Sequence, residues 1–334
     1  MPSRRSASSI VVARSIWYTA PGKVELKAQP LPRLQDGEVR VRSLYSGISR
    51  GTERLVAAGG VGFGEWERTR AAFQDGQFPF PVKYGYCAVG IVEAGPAELL
   101  AKTVFCLHPH QDVFHVPSER VTVVPSDVPA RRATLAANME TALNAIWDSG
   151  AALGDRIAVV GGGIVGLLTA SLLARMPAVE VTLVDIAEER QELAAALGAR
   201  FALPTNAPRN CDKVFHASVS AAGLETAISC AGFEATIVEL SWFGEQPVSV
   251  MLGGAFHSQR LRLISSQVGN IAPSHRPRWD YARRMATALR LLEDERLDAL
   301  VRETMAFGEA PQLLPVLLAA DGRNLAPVIA YGSS

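Results

Sequence analysis

Arg156-Ile-Ala-Val-Val-Gly161-Gly-Gly163-Ile-Val-Gly166-Leu-Leu-Thr-Ala170 is the stretch that decides the fold. A short apolar run, Arg156 to Val160, enters the pattern G-x-G-x-x-G and leaves it as a helix, Gly166 to Arg175. The glycines have separate tasks. Gly161 permits a tight turn, Gly163 lets the backbone approach a pyrophosphate, and Gly166 allows close packing of helix on strand, with the helix N-terminus facing phosphate charge. Downstream, Val181-Thr-Leu-Val-Asp185 is a strand ending in a carboxylate nineteen positions beyond Gly166. That is close to the spacing of about twenty for an acid that accepts hydrogen bonds from an adenosine ribose. The two elements together predict a dinucleotide site. Its candidate contacts are Gly161, Gly163, Ile164, Val165, Gly166, Asp185, Ile186 and Arg190, with Thr141 on the preceding helix. A carboxylate at 185 repels the extra phosphate of NADP, and the segment Ile186 to Arg190 offers only Arg190 against it, so NAD is the expected cofactor.

Working outward, the pattern alternates between strand and helix. Arg131 to Ser149 has helical periodicity, Lys213 to His216, Thr236 to Leu240 and Val248 to Leu252 read as further strands, and Trp279 to Glu293 reads as a helix. Such alternation implies an α/β fold with a doubly wound parallel sheet covered on both faces. Before Ala130 the character differs. From Ser15 to about Pro125 short strands and turns dominate, as in Glu38 to Tyr45, where apolar and polar residues alternate. Gly59 to Gln77 interrupts them as a loop with a short helix near Gly64 to Arg68, placed to cover a pocket. Its aromatics Trp66, Phe73, Phe78 and Phe80 either anchor the loop or line an apolar cleft.

The chain of 334 residues suits two domains. Its 48% hydrophobic and 20% charged residues are those of a globular protein. With 33 basic and 33 acidic residues there is no net field to draw it to nucleic acid or anionic membranes, and a small-molecule substrate is expected instead. No window approaches the roughly eighteen apolar residues of a membrane span. The basic tail Met1 to Ser9 reads as frayed. Cys87, Cys106, Cys211 and Cys230 are too dispersed for a disulfide framework or a zinc knot, which suits a cytoplasmic location.

The order of segments resembles the medium-chain dehydrogenase/reductase family across essentially the whole chain. Ala20 to Leu26, Gly37 to Arg42, Ser46-Gly-Ile-Ser49-Arg-Gly-Thr-Glu53 and Phe80-Pro-Val-Lys-Tyr-Gly85-Tyr-Cys-Ala-Val-Gly90 carry the resemblance. It implies a GroES-like, β-rich substrate domain over residues 10–138, a Rossmann domain over 139–280, and completion of the first domain by 281–334. Gly47 to Arg54 and Gly85-Tyr86 are most similar to a zinc-lacking branch that includes bacteriochlorophyllide hydroxyethyl dehydrogenase. Zinc-type members take metal ligands at positions that here hold Ser49, Tyr86 and, near the third, Ala137, with Cys87 replacing a glutamate. Serine, tyrosine and alanine do not supply the three nitrogen, sulfur or carboxylate ligands of catalytic zinc, so none is expected. The cluster His108, His110 and His115, with Glu140 joining in space, is the competing metal reading, and polar or hydrogen-bonding roles are its alternative.

The resemblance also places Ser49, Thr52, Tyr86 and Glu140 near the nicotinamide, with Arg50 close by. Tyr86 is the leading general acid, since a phenol donates a proton to a developing alkoxide, especially where a cation lowers its pKa. Ser49 is a hydrogen-bonding candidate and His110 or His108 a proton shuttle. Glu53 and Glu140 could pair as carboxylates. The expected activity is zinc-independent, NAD-linked hydride transfer between nicotinamide and an alcohol or ketone, on a bulky or cyclic substrate. Enoyl reduction of C=C and a non-catalytic cofactor sensor stay open. A homodimer is expected through the edge strand Val248 to Leu252.

Overall fold

Ahead of the glycine turn, a computed structural model of the chain, describing residues 10–319 and 325–332, consists mostly of short antiparallel strands. The tail read as frayed lies outside the described residues. The strands are β1 (Val12–Ala20), β2 (Lys23–Pro30), β3 (Glu38–Gly47), β4 (Asp75–Gly76), β5 (Val82–Lys83), β6 (Ala88–Ala94), β7 (Thr103–Cys106), β8 (Val113–Pro117) and β9 (Val121–Val123), with helix α1 (Arg50–Ala57) after β3. The alternation read in Glu38 to Tyr45 is the pleat of β3, whose Val39, Val41 and Ser43 are buried between outward arginines. Ile16 and Tyr18 of β1, Ile48, Phe78 and Tyr84 form one core of this half.

The segment read as one helix from Arg131 is two, α2 (Ala130–Ala133) and α3 (Ala136–Ser149). Beyond it come β10 (Arg156–Val160), α4 (Ile164–Ala174), β11 (Glu180–Val184), α5 (Arg190–Ala196), β12 (Arg200–Ala202), β13 (Cys211–His216), α6 (Ala221–Cys230), β14 (Ala231–Glu239) and β15 (Arg262–Ser265). These six strands make one parallel sheet in the order β12-β11-β10-β13-β14-β15. Successive residues of β10 serve opposite faces. Ile157 and Val159 pack with Leu167 and Leu168 of α4, whereas Ala158 and Val160 pack with Leu224 and Ala227 of α6. A strand buried on both faces reads as an unbroken apolar run, and each valine or isoleucine so buried contributes about 1.5–3 kcal/mol.

Val248 to Leu252 is not a strand. Val248 and Val250 lie half-buried against the cluster under α6, and Leu252–Phe256 turn through a kinked helical segment at Gly254. Alternation there reflects packing of an extended segment on a core, without a ladder partner, and the sheet edge belongs to β15.

The helix read over Trp279 to Glu293 is α7 (Tyr281–Leu291), followed by β16 (Thr304–Ala306), α8 (Ala310–Ala319) and β17 (Val328–Ala330). The chain then returns to its first half: β17 pairs antiparallel with β3, completing the order β16-β17-β3-β6-β7-β9, while β2-β1-β5-β4 form a separate sheet. From α7, fully buried Arg284 donates to Glu140 Oε1 (2.9 Å) and Asn144 Oδ1 (2.7 Å) of α3 and to the Val268 carbonyl, tying three segments together.

Candidate functional site

A cleft of about 810 Å³ opens at the carboxyl ends of the parallel strands, where the order reverses between β10 and β13. Open α/β sheets bind ligands at such switch points. The glycine turn forms its floor. Gly161 has φ +112°, and a Cβ there would fall 2.7 Å from the Ala217 carbonyl carbon. A Cβ on Gly166 would sit 1.9 Å from the Gly161 carbonyl oxygen, so only glycine lets α4 approach β10 this closely. Gly163, the N-cap of α4, would direct a Cβ into open space, the room a phosphate needs above the first N–H groups of Ile164 and Val165.

Asp185 stands across this turn. Its Oδ2 accepts from the Gly162 N–H and its Oδ1 from the Ala187 N–H at 2.8 Å, so the acid that faces the cleft also fixes the loop. Ile186 is exposed on the rim, and Arg190 is buried beside the turn. Thr141 does not reach the cleft; its hydroxyl donates back to the Ala137 carbonyl at 3.0 Å within α3.

The opposite wall comes from the β-rich half. Ser49, Arg50, Gly51, Thr52 and Arg54, at the start of α1, line the same cleft. The Tyr86 hydroxyl donates to Thr52 Oγ1 at 3.2 Å and also bonds to Ser49, so Ser49, Thr52 and Tyr86 meet. Burial pushes the Tyr86 pKa well above the ordinary phenol value, and neighbouring Cys87 and Glu53 push the same way. The hydroxyl keeps its proton at neutral pH.

His110 and Glu140 are elsewhere engaged. His110 is fully buried behind this wall, Nδ1 bonded to Ser46 Oγ (2.7 Å) and Nε2 to Glu53 Oε2 (3.0 Å). Glu53 further accepts from the Tyr18 hydroxyl (2.7 Å) and the Ser49 N–H (2.8 Å), and Ser46 reaches the Tyr331 hydroxyl (2.9 Å). The Gly85 position packs on the His110 ring, where a Cβ would lie 2.8 Å from it. The network thus supports the turn carrying Tyr86 and the N-terminus of α1 from below; it was invisible in the sequence because the residues of its side-chain pairs are 35 to 285 positions apart. Glu140 is held by Arg284, so it pairs neither with Glu53 nor with the histidines.

The histidine cluster disperses. His108 stacks on Phe114 at 3.8 Å and burial lowers its pKa to about 3, whereas His115 faces Arg40. Among the described residues no group of three histidines, cysteines or acids is placed to hold a metal ion. The loop aromatics act as anchors. Trp66 donates to the Val61 carbonyl (3.0 Å) and meets Phe63 edge-on, Phe78 is buried against Tyr84, and Phe73 stacks on His108. The loop itself does cross to the other half: a Cβ on Gly62 would fall 2.3 Å from the Glu245 carboxylate, just after cleft-lining Trp242.

No family model matches the chain. Over 88 residues, 26% of the chain, it is 34% identical to an uncharacterized zinc-type alcohol dehydrogenase-like protein of Haemophilus influenzae. Over 49% of the chain it is 24% identical to (R,R)-butanediol dehydrogenase of Saccharomyces cerevisiae. These matches span 25% and 43% of the relatives' own lengths. A short chain alcohol dehydrogenase from E. coli CFT073, solved with NADH, superposes with a TM-score of 0.75 at 16% identity, covering 96% of this chain and 99% of that one. The chain therefore has the two-part α/β fold of the alcohol dehydrogenases.

Proposed function

We propose that this protein is an NAD(H)-linked oxidoreductase that interconverts an alcohol and a ketone without a catalytic zinc. The observation that carries the reading is the glycine turn of β10 and α4 opposed by Asp185, in one cleft with Ser49 and Thr52. The residues present fit a dinucleotide: open space above Gly163, helix N–H groups for pyrophosphate, and a carboxylate for the ribose hydroxyls. When bound, the nicotinamide supplies the hydride chemistry, and the chain supplies position and a proton.

Zinc does not fit. At the positions where the family resemblance places the ligands of zinc-type members, Ser49 and Tyr86 offer neutral hydroxyls and, near the third, Ala137 offers no donor. Tyr86, protonated at neutral pH and oriented by Thr52 and Ser49, is the group that donates a proton to a developing alkoxide or, in the reverse direction, receives it. Glu53 and His110 hold the turn beneath it. The likeness to a zinc-lacking branch rests on Gly47 to Arg54 and Gly85-Tyr86, and the loop closing over Glu245 shapes the substrate side for its own, unidentified carbonyl compound. Two copies would pair along β15, where Leu263 is exposed at the sheet edge.

Calorimetric titration with NADH and then NADPH, with elemental analysis for zinc, tests the reading. Tight NADH binding without zinc supports it; absence of dinucleotide binding refutes it, and stoichiometric zinc refutes the metal-free part. With NADH bound, consumption of ketones against enones separates carbonyl reduction from C=C reduction, and inertness toward both leaves a sensor.

A further inference from the structure

The carboxyl ends of β13 and β14 carry a buried polar cluster that the chemistry above does not use. His216, fully buried at the end of β13, has Nδ1 2.6 Å from Glu239 Oε2 and Nε2 2.7 Å from Ser218 Oγ. Glu239 ends the neighbouring strand, and its other oxygen accepts from the Ser241 N–H at 2.7 Å. Ser241 Oγ in turn accepts from the Val219 N–H at 3.1 Å. The imidazole thus presents one ring nitrogen to the carboxylate and the other to the Ser218 hydroxyl. One imidazole thereby joins two strand ends and the turn that follows each.

The turn so held is unusual. Val219 lies between Ser218 and Ser220 with φ +52°, a left-handed conformation that disfavours β-branched residues, and it is 48% exposed on the wall of the cleft. Strain of this kind persists where surrounding contacts over-determine it, and it concentrates at ligand sites. The contacts here do so. Ser220 caps α6 by accepting from the Gly223 N–H (3.0 Å), and a Cβ on Gly223 would fall 1.9 Å from Ser218 Oγ and 2.9 Å from His216 Nε2, so glycine lets the first turn of α6 close on the cluster without displacing these side chains.

We infer that His216 is a positioning residue, tying β13 and β14 into a rigid shelf for the nicotinamide riboside half of the dinucleotide. The inference rests on the dinucleotide reading of the cleft. Asp185 claims the adenosine half on the β11 side of the switch point, so the second nucleotide must lie on the side of β13 and β14. There Ser218, Val219, Ser220 and Ser241 line the cleft. His216 and the Ser241 N–H cap both oxygens of the Glu239 carboxylate, which is not among the residues lining the cleft.

The test compares NADH with AMP, which contains the adenosine half alone, in binding titrations of wild type, Ser218→Ala and His216→Gln. Loss of one hydrogen bond from the shelf should weaken NADH about five- to tenfold in Ser218→Ala, and more in His216→Gln, with AMP affinity unchanged. Equal weakening of both ligands would mean general damage to the domain and overturn the inference, as would unchanged NADH affinity in both variants. If wild type binds AMP but not NADH, the shelf is refuted while the adenosine site stands; if it binds neither, the dinucleotide reading itself falls.

Discussion

Asp185→Ser separates the two cofactors through a hydrogen bond lost to one and a repulsion relieved for the other. In the native protein one carboxylate oxygen accepts from Gly162 and the other from Ala187, which leaves lone pairs of both for ribose hydroxyls. A charge-assisted hydrogen bond of this kind is worth about 1.5–3 kcal/mol, so its loss weakens NADH by roughly 10- to 100-fold. For NADPH the sign reverses. A unit charge about 5 Å from the 2′-phosphate, at an effective dielectric of about 20, repels it by about 3 kcal/mol, and serine removes that penalty. Serine also loosens the tie to Gly162, but this weakens both cofactors alike and cancels from their ratio. Fluorescence titration at fixed ionic strength should show the NADH preference narrowing by two orders of magnitude or more, on the order of both effects combined. A variant that bound each cofactor more weakly by the same factor would refute the assignment of Asp185 to the ribose and leave it only the loop.

Three further outcomes follow from the site. Tyr86→Phe should lower kcat by about 10²- to 10⁴-fold with the NADH Kd within about twofold of wild type, and full turnover would return Tyr86 to a packing role. His108, whose burial lowers its pKa to about 3, takes up its proton more readily in the unfolded chain, where the value is near 6.5. Its contribution to stability is therefore complete above about pH 6.5 and is lost as pH falls toward 3, at up to about 1.4 kcal/mol per pH unit; His108→Phe should flatten the acid limb of urea unfolding free energies, and an unchanged slope would contradict the burial. Protein expressed with added zinc and then dialysed should carry well under one zinc per chain by elemental analysis, whereas one chelator-resistant ion per chain would show that another donor set holds it.

What the sequence revealed and what it hid divide along the range of the interactions involved. The turn from Gly161 to Gly166 was legible because each glycine answers a steric demand made within a few residues, as the 1.9 Å approach of a Gly166 Cβ to the Gly161 oxygen makes plain. Asp185 was legible through its distance along one βαβ unit. Val248 to Leu252 misled because alternation records which residues face a core, and these face one without any strand beside them. Glu140 was misplaced for a similar reason: its partner Arg284 is 144 positions away, and no local pattern announces a fully buried arginine on a helix. His216 carried a weak signal, a histidine and two serines at alternate positions where a strand ends, but its meaning depends on Glu239 from the next strand.

The β-rich wall of the cleft has a further logic that follows from charge. A metal shell at Ser49 and Tyr86 would need anionic or imidazole donors pointing into the cleft, with water excluded behind them. Here the polarity is inverted. The cleft receives neutral hydroxyls from Ser49 and Thr52, to which the Tyr86 hydroxyl is bonded, while the acid and the imidazole, Glu53 and His110, are withdrawn into the core and bonded by Tyr18, Ser46 and the Ser49 N–H. Withdrawn in this way, Glu53 and His110 fix the backbone that aims the hydroxyls, and leaving one partner of such a buried hydrogen bond unsatisfied costs about 1–3 kcal/mol. In the proposed reaction such hydroxyls would work through position and a retained proton, and the burial that keeps the Tyr86 hydroxyl protonated and the network that holds its turn would then be two parts of one arrangement.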